Sequence, residues 1–160
     1  MEIKIRTIEE RDNLLLGEII QEVFEEHKAP KTGTMYDDPA LFALSDSFKS
    51  ENCVLFVAEL NQQIVGCCGI FPTAGLPDNY AELVKFYLLK KARGIGIGKV
   101  LMEKSIAFAK DYGYKNIYLE SFPSFNNAVN IYLKQGFKHI SKPLGNSGHT
   151  SCNIWLVKEI

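Results

Sequence analysis

No stretch of this chain reads as a membrane span or a secretory leader. Charges or turn residues interrupt every apolar run before it reaches the roughly 18 residues that a spanning helix requires. The start, Met1-Glu2-Ile3-Lys4-Ile5-Arg6, alternates apolar with charged residues where a signal peptide has a continuous apolar core. A cytoplasmic protein with no membrane partner is expected. A surplus of positive charge is also missing. The 18 Lys and Arg stand against 19 Asp and Glu, a formal net charge of -1, which leaves no basic face for nucleic acid. Cysteine is scarce and poorly spaced for cross-links or zinc: Cys53, Cys67, Cys68 and Cys152 form no CxxC pair. Reduced, mostly buried thiols are expected. His27, His139 and His149 lack metal-ligand spacing as well, so no metal is expected.

The 160 residues suit one domain spanning 1-160 and can bury a core without disulfide or metal staples. Ile3 and Ile5 alternate with charges and predict a first strand. Leu15, Ile19, Ile20 and Phe24 predict a helix over Glu9 to His27, broken by Pro30 to Gly33. Asp38 to Lys49 is a second helical candidate. Val54 to Leu60 and Ile64 to Phe71 form a hairpin across Asn61-Gln62, and Tyr80 to Leu89 adds a further strand with Glu82 and Lys85 embedded. Gly98 to Tyr112 follows helical spacing and stops at Gly113. A strand over Ile117 to Glu120, a helix over Ser124 to Gln135 and strands near Phe137 to Ser141 and Thr150 to Lys158 complete the order. Strands first meander and then alternate with helices. This predicts an α+β fold in α/β/α layers, with a mixed, mostly antiparallel sheet of six to seven strands and about four flanking helices.

Arg93-Gly94-Ile95-Gly96-Ile97-Gly98-Lys99 stands between a strand and the firmest helix. Missing side chains let backbone N–H groups converge at the helix N-terminus, where the dipole favours phosphate oxygens; Arg93 and Lys99 add charge on either side. The string superficially matches GxGxxG, but the third glycine is misplaced and the preceding meander is not a βαβ unit. A P-loop requires Ser or Thr after its lysine, and Val100 follows Lys99. A helix-capping turn without a ligand is the bland reading. The remaining pattern is Arg/Gln-x-x-Gly-x-Gly/Ala, which Arg93, Gly96 and Gly98 satisfy. Downstream, the segment from Asn126 through Ala128 and Tyr132 to Gly136-Phe137 resembles the block NxxAxxxYxxxGF. With both blocks in order, the chain resembles the GNAT superfamily of acyl-CoA N-acyltransferases from about Val54 to Phe137.

That resemblance implies the GNAT fold and acetyl-CoA as co-substrate, its pyrophosphate held by the loop Arg93 to Lys99 through Gly94, Ile95, Gly96, Ile97 and Gly98. It also implies a bulge in the preceding strand at Phe86, Tyr87 and Leu88, with Leu88 N–H polarising the acetyl carbonyl. Tyr132 would be the general acid: its phenol, with an ordinary pKa near ~10, can quench a thiolate of about 8 to 9. The alternative is a tyrosine that only packs the helix on the sheet. Glu82 is the candidate base; the alternative is a salt bridge to Lys85 or Arg93. Asn126 caps its helix or bonds the pantetheine arm, beside Ala128. Acceptor choice would lie in Lys28 to Phe48, including Tyr36, and in the last loop, where His149 either meets the acceptor or is solvated. The leading expectation is an N-acetyltransferase that acts by direct attack on a small-molecule primary amine. A protein or peptide acceptor and a silent CoA-binding regulator are the alternatives. Relatives often dimerise, so a homodimer is an expected partner.

Overall fold

A computed structural model describes all residues, Met1–Ile160. Its strands are β1 (Ile3–Thr7), β2 (Val54–Leu60), β3 (Gln63–Phe71), β4 (Tyr80–Leu88), β5 (Asn116–Ser121), β6 (Lys138–Ile140) and β7 (Ile154–Glu159). They form one sheet in the order β1-β2-β3-β4-β5-β7-β6, in which β4 and β5 are the only parallel neighbours. The helices are α1 (Asn13–Glu26), α2 (Leu44–Ser47), α3 (Ile97–Tyr112) and α4 (Asn126–Lys134). Seven strands and four helices fulfil the expectation from pattern. No helix is long and apolar enough to cross a membrane.

Strand alternation divides the core between the two faces of the sheet. Leu55, Val57 and Cys67 face Leu16, Ile20 and Phe24 of α1. Val54, Ala58, Val65 and Cys68 face Leu101, Met102 and Ala109 of α3, and α4 adds Val129 and Tyr132 to that side. The adjacent Cys67 and Cys68 thus lie in different layers. All four cysteines are free thiols.

Two local expectations are corrected. Helix α1 buries Leu16 rather than Leu15, which is 43% exposed; a run of three leucines leaves the choice of face to packing. The helix expected over Asp38 to Lys49 shrinks to Leu44–Ser47. Asp38 Oδ1 accepts from Ala40 N–H at 2.8 Å, so a local side-chain turn competes with the helix just before Pro39 could enter one.

Gly66 of β3 is required for close approach. A Cβ there would stand 2.4 Å from Tyr87 O and 3.2 Å from Leu88 Cα, backbone atoms that cannot rotate away. Gly66→Ala is therefore expected to lose about 1–3 kcal/mol through overpacking, measured by denaturant unfolding. Stability equal to wild type would show that β4 moves there at little cost.

Candidate functional site

The parallel neighbours β4 and β5 pair only at Tyr80↔Asn116, Ala81↔Ile117 and Glu82↔Tyr118. Beyond Glu82 the strands splay, and a cavity of about 440 Å³ opens from the gap toward α1 and α4. Glu82 sits at the apex. It is 6% exposed and accepts a hydrogen bond from the Thr73 hydroxyl at 2.5 Å. Burial lifts its carboxyl from 4.5 to about 7; the Thr73 bond holds it back, Glu120 pushes it up and Lys85 pulls it down. The structure gives Glu82 neither of the ion pairs weighed from sequence, with Lys85 or with Arg93.

Register locates the bulge. Cys67 faces Tyr87 and Gly69 faces Val84, so Lys85 and Phe86 together oppose Cys68. The residue in the left-handed region is Lys85, at φ 57°. The bulge therefore begins one residue before the expected Phe86, while Tyr87 and Leu88 are back in register. Leu89 N–H bonds Val65 O at 2.8 Å, and Leu88 turns its carbonyl out of the ladder to accept from Arg93 Nη2 at 2.8 Å. Within a strand a residue's N–H points the same way as its C=O, so Leu88 N–H also faces the splayed side.

The glycine loop follows a turn over Lys90–Ala92. Gly94 and Gly96 hold φ of 77° and 92°, and a Cβ at either would meet nothing within 4 Å, so conformation rather than space selects glycine there. Gly98 instead allows close packing: its Cβ would lie 3.0 Å from Leu88 Cδ1 and 3.2 Å from Phe86 Cζ. The amides of residues 94–99 donate no hydrogen bond within the protein, and Val100 N–H is the first to find a carbonyl, that of Gly96 at 3.1 Å. These free donors at the start of a 16-residue helix are an arrangement that could hold an anion. Ile95 is exposed at the tip and Ile97 is buried beneath it. The flanking charges differ from expectation. The Arg93 guanidinium is bidentate on Glu26, at 2.7 and 2.8 Å, while Lys99 projects into solvent 3.8 Å from Glu103. Arg93 holds the Glu26 carboxyl below its ordinary range. What the loop offers an anion is free amides more than free cations, and Arg93 ties its start to α1.

Across the cavity, α4 presents Asn127, Ala128, Ile131 and Tyr132. The Tyr132 ring packs 5.9 Å from Phe86 and 5.8 Å from Phe137, while its hydroxyl has no partner in the protein. Burial pushes that phenol far above 10, and Cys68 adds to the shift. Val129 and Tyr132, one turn apart, share the buried face of α4, while Leu133 is 38% exposed. Asn126 is exposed, makes no side-chain hydrogen bond and does not line the cavity. It stands two residues before Ala128, where the motif requires three; that motif position falls on Phe125, whose ring is 5.4 Å from Phe24.

The far wall joins the early loop to the last one. His149 Nε2 lies 3.0 Å from Asp38 Oδ2, and Glu120 accepts from the Tyr118 and Ser147 hydroxyls. Burial opposes ionisation of Asp38, but the hydrogen bonds to His149 and to the Ala40 amide outweigh it and hold its carboxyl below the usual range. His149 is thus a paired cavity residue rather than a solvated one. Tyr36 is outside: its hydroxyl donates to Glu25 at 2.7 Å and its ring packs on Phe24. Sequence reasoning gave no site role to Asp38, Thr73, Glu120 or Cys152 and weighed Lys85 only as an ion-pair partner of Glu82, yet all five line the cavity. Burial pushes the Cys152 thiol up to about 12, so it is no thiolate near neutral pH.

A splayed parallel pair, a bulged strand and a glycine turn opening a helix frame the site, and comparison with known proteins gives its class. Residues 18–137 match the model of the acetyltransferase (GNAT) family. The uncharacterised N-acetyltransferase YjgM of Escherichia coli K12 is 30% identical over 157 residues, 98% of this chain and 94% of that one. N-acetyltransferase 8B of Rattus norvegicus is 36% identical over 85 residues, 52% of this chain and 38% of that one. A GNAT acetyltransferase from Staphylococcus aureus Mu50 superposes with a TM-score of 0.86 at 24% identity, covering 99% of both chains. The PaiA N-acetyltransferase of Thermoplasma acidophilum, solved in complex with coenzyme A, gives 0.75 at 19% over the whole of both. The chain belongs to the GNAT family of N-acetyltransferases and is an acyltransferase enzyme.

Proposed function

We propose that the protein transfers acetyl from acetyl-CoA to the primary amine of a small molecule by direct attack, with both substrates bound together. The observation that carries this reading is the buried carboxyl of Glu82, raised to about 7 at the apex of an open cavity whose opposite wall carries the free Tyr132 hydroxyl. The residues present suit the donor. Free amides over 94–99 fit a pyrophosphate, and the open space beside Gly94 and Gly96 admits one. The thioester supplies the electrophilic carbonyl. Glu82 takes a proton from the incoming ammonium, and the neutral nitrogen forms the C–N bond as the C–S bond breaks. Leu88 N–H, facing the splayed side, is placed to stabilise charge on the carbonyl oxygen.

Tyr132 acts mainly as a hydrogen-bond donor to the departing sulfur. With its pKa far above that of a thiol, complete proton transfer from the phenol is uphill. The sulfur's final proton then derives from the nitrogen that attacked, and Glu82 releases the proton it took to solvent, so the products are an amide, a thiol and one proton.

Calorimetric titration with acetyl-CoA, followed by a thiol-release screen over amines, amino acids and peptides, tests the reading. Heat of binding and turnover with a small amine are expected; absence of any binding would overturn it. Arg93→Ala, which removes the Glu26 pair and the bonds to Leu88 O, is expected to weaken acetyl-CoA binding about tenfold. An unchanged Kd would show that the amides hold the donor without that brace.

A further inference from the structure

The Asp, Glu, Arg, Lys and His side chains that line the cavity all have partners, with one exception. Glu82 accepts from Thr73, Glu120 from Tyr118 and Ser147, and Asp38 pairs with His149. Arg93 is held by Glu26, and His27 Nδ1 lies 3.0 Å from Val23 O. The ammonium of Lys85 has neither a hydrogen bond nor an ion pair, although it lines the same cavity and is only partly exposed. Burial lowers its proton affinity, and the charges of Glu82 and Asp38 act to keep the proton on.

The backbone aims this cation. Strict alternation would put Lys85 on the face of Ala81 and Leu83, against the α3 layer. The extra residue of the bulge, with Lys85 itself at φ 57°, brings it instead to the cavity that Glu82 and Asp38 also line. Lysine adopts that conformation only at a cost, which locates stored strain at the one unpartnered charge of the cavity. The surrounding wall is largely apolar. Phe48 and Phe71 pack 5.5 Å apart, and Phe24, Phe125 and Met35 line the remainder of that side.

We propose that Lys85 receives the carboxylate of the acceptor, which makes the substrate class α-amino acids with bulky apolar side chains. The amine then lies toward Glu82, three residues away along β4, and the side chain lies among the aromatic rings. A monoanion matches the single free cation, whereas a phosphate dianion would face Glu82, Glu120 and Asp38 with one countercharge. Lys85 sets specificity and takes no part in bond making. This inference rests on the acetyltransferase reading.

The test compares phenylalanine with phenethylamine, and leucine with isoamylamine, by thiol release from acetyl-CoA in the full chain. Wild type is expected to favour each amino acid by about 30-fold or more in kcat/KM, the range for a desolvated charge pair. At pH 9, well above the ionisation of Glu82 at about 7, Lys85→Met is expected to abolish that preference through KM while leaving the two amines within about twofold, and Lys85→Arg to retain it. A wild type that acetylates the amines as well as or better than the amino acids overturns the inference without a variant being made. An equal loss for both classes in Lys85→Met also overturns it. Failure to bind acetyl-CoA or to release thiol with any amine instead overturns the transferase reading beneath it.

Discussion

Glu82→Gln is expected to lower kcat/KM by about 100-fold or more at pH 8, the effect of losing a positioned base, while raising thermal stability at that pH. Both effects follow from one displaced equilibrium. Folding moves the carboxyl from 4.5 to about 7, chiefly through burial. Between those values the folded protein holds a proton that the unfolded chain has released. The stabilisation is complete below pH 4.5 and is lost as pH rises through about 7. Above that, wild type maintains a buried charge, and glutamine removes it while its amide oxygen can still accept from Thr73. The same ionisation makes wild-type kcat/KM rise with pH through about 7, and the variant is expected to lose this limb. Retention of the limb in Glu82→Gln, in steady-state profiles measured beside melting curves, would assign the base to another group.

Tyr132→Phe is expected to reduce kcat by about 100-fold and to leave acetyl-CoA affinity nearly unchanged. Phenylalanine keeps the packing on Phe86 and Phe137, and the hydroxyl it removes has no partner within the fold. Melting should therefore move little. Single-turnover measurements at saturating donor isolate the effect; turnover equal to wild type would leave Tyr132 as a packing residue and nothing more.

Features carried by short-range pattern were legible in the sequence. The apolar runs of β2 and β3, the helical spacing after Gly98 and the glycines at the two ends of α3 are local signals, and they survive as Val54–Leu60, Gln63–Phe71 and Ile97–Tyr112. The glycine loop and Tyr132 lie in motifs and were read from them. What escaped depends on pairings between distant residues. Arg93 meets Glu26 across 67 positions and His149 meets Asp38 across 111, and neither partner carries a mark of the other. The first residue of the bulge escaped for a different reason: it is a left-handed lysine, where glycine or asparagine would have announced the turn. Asn126 shows the opposite failure, in which the right residue type stood at the wrong spacing.

The short stitch between β4 and β5 divides the molecule mechanically. Three facing residue pairs join β1 through β4 to the block of β5, β7 and β6, so the sheet is two panels sharing a narrow hem. A ligand lodged beyond Glu82 touches both panels and works as a rivet. Amide protons along β5 and β7 should then exchange more slowly once the gap is filled, even where nothing touches the occupant.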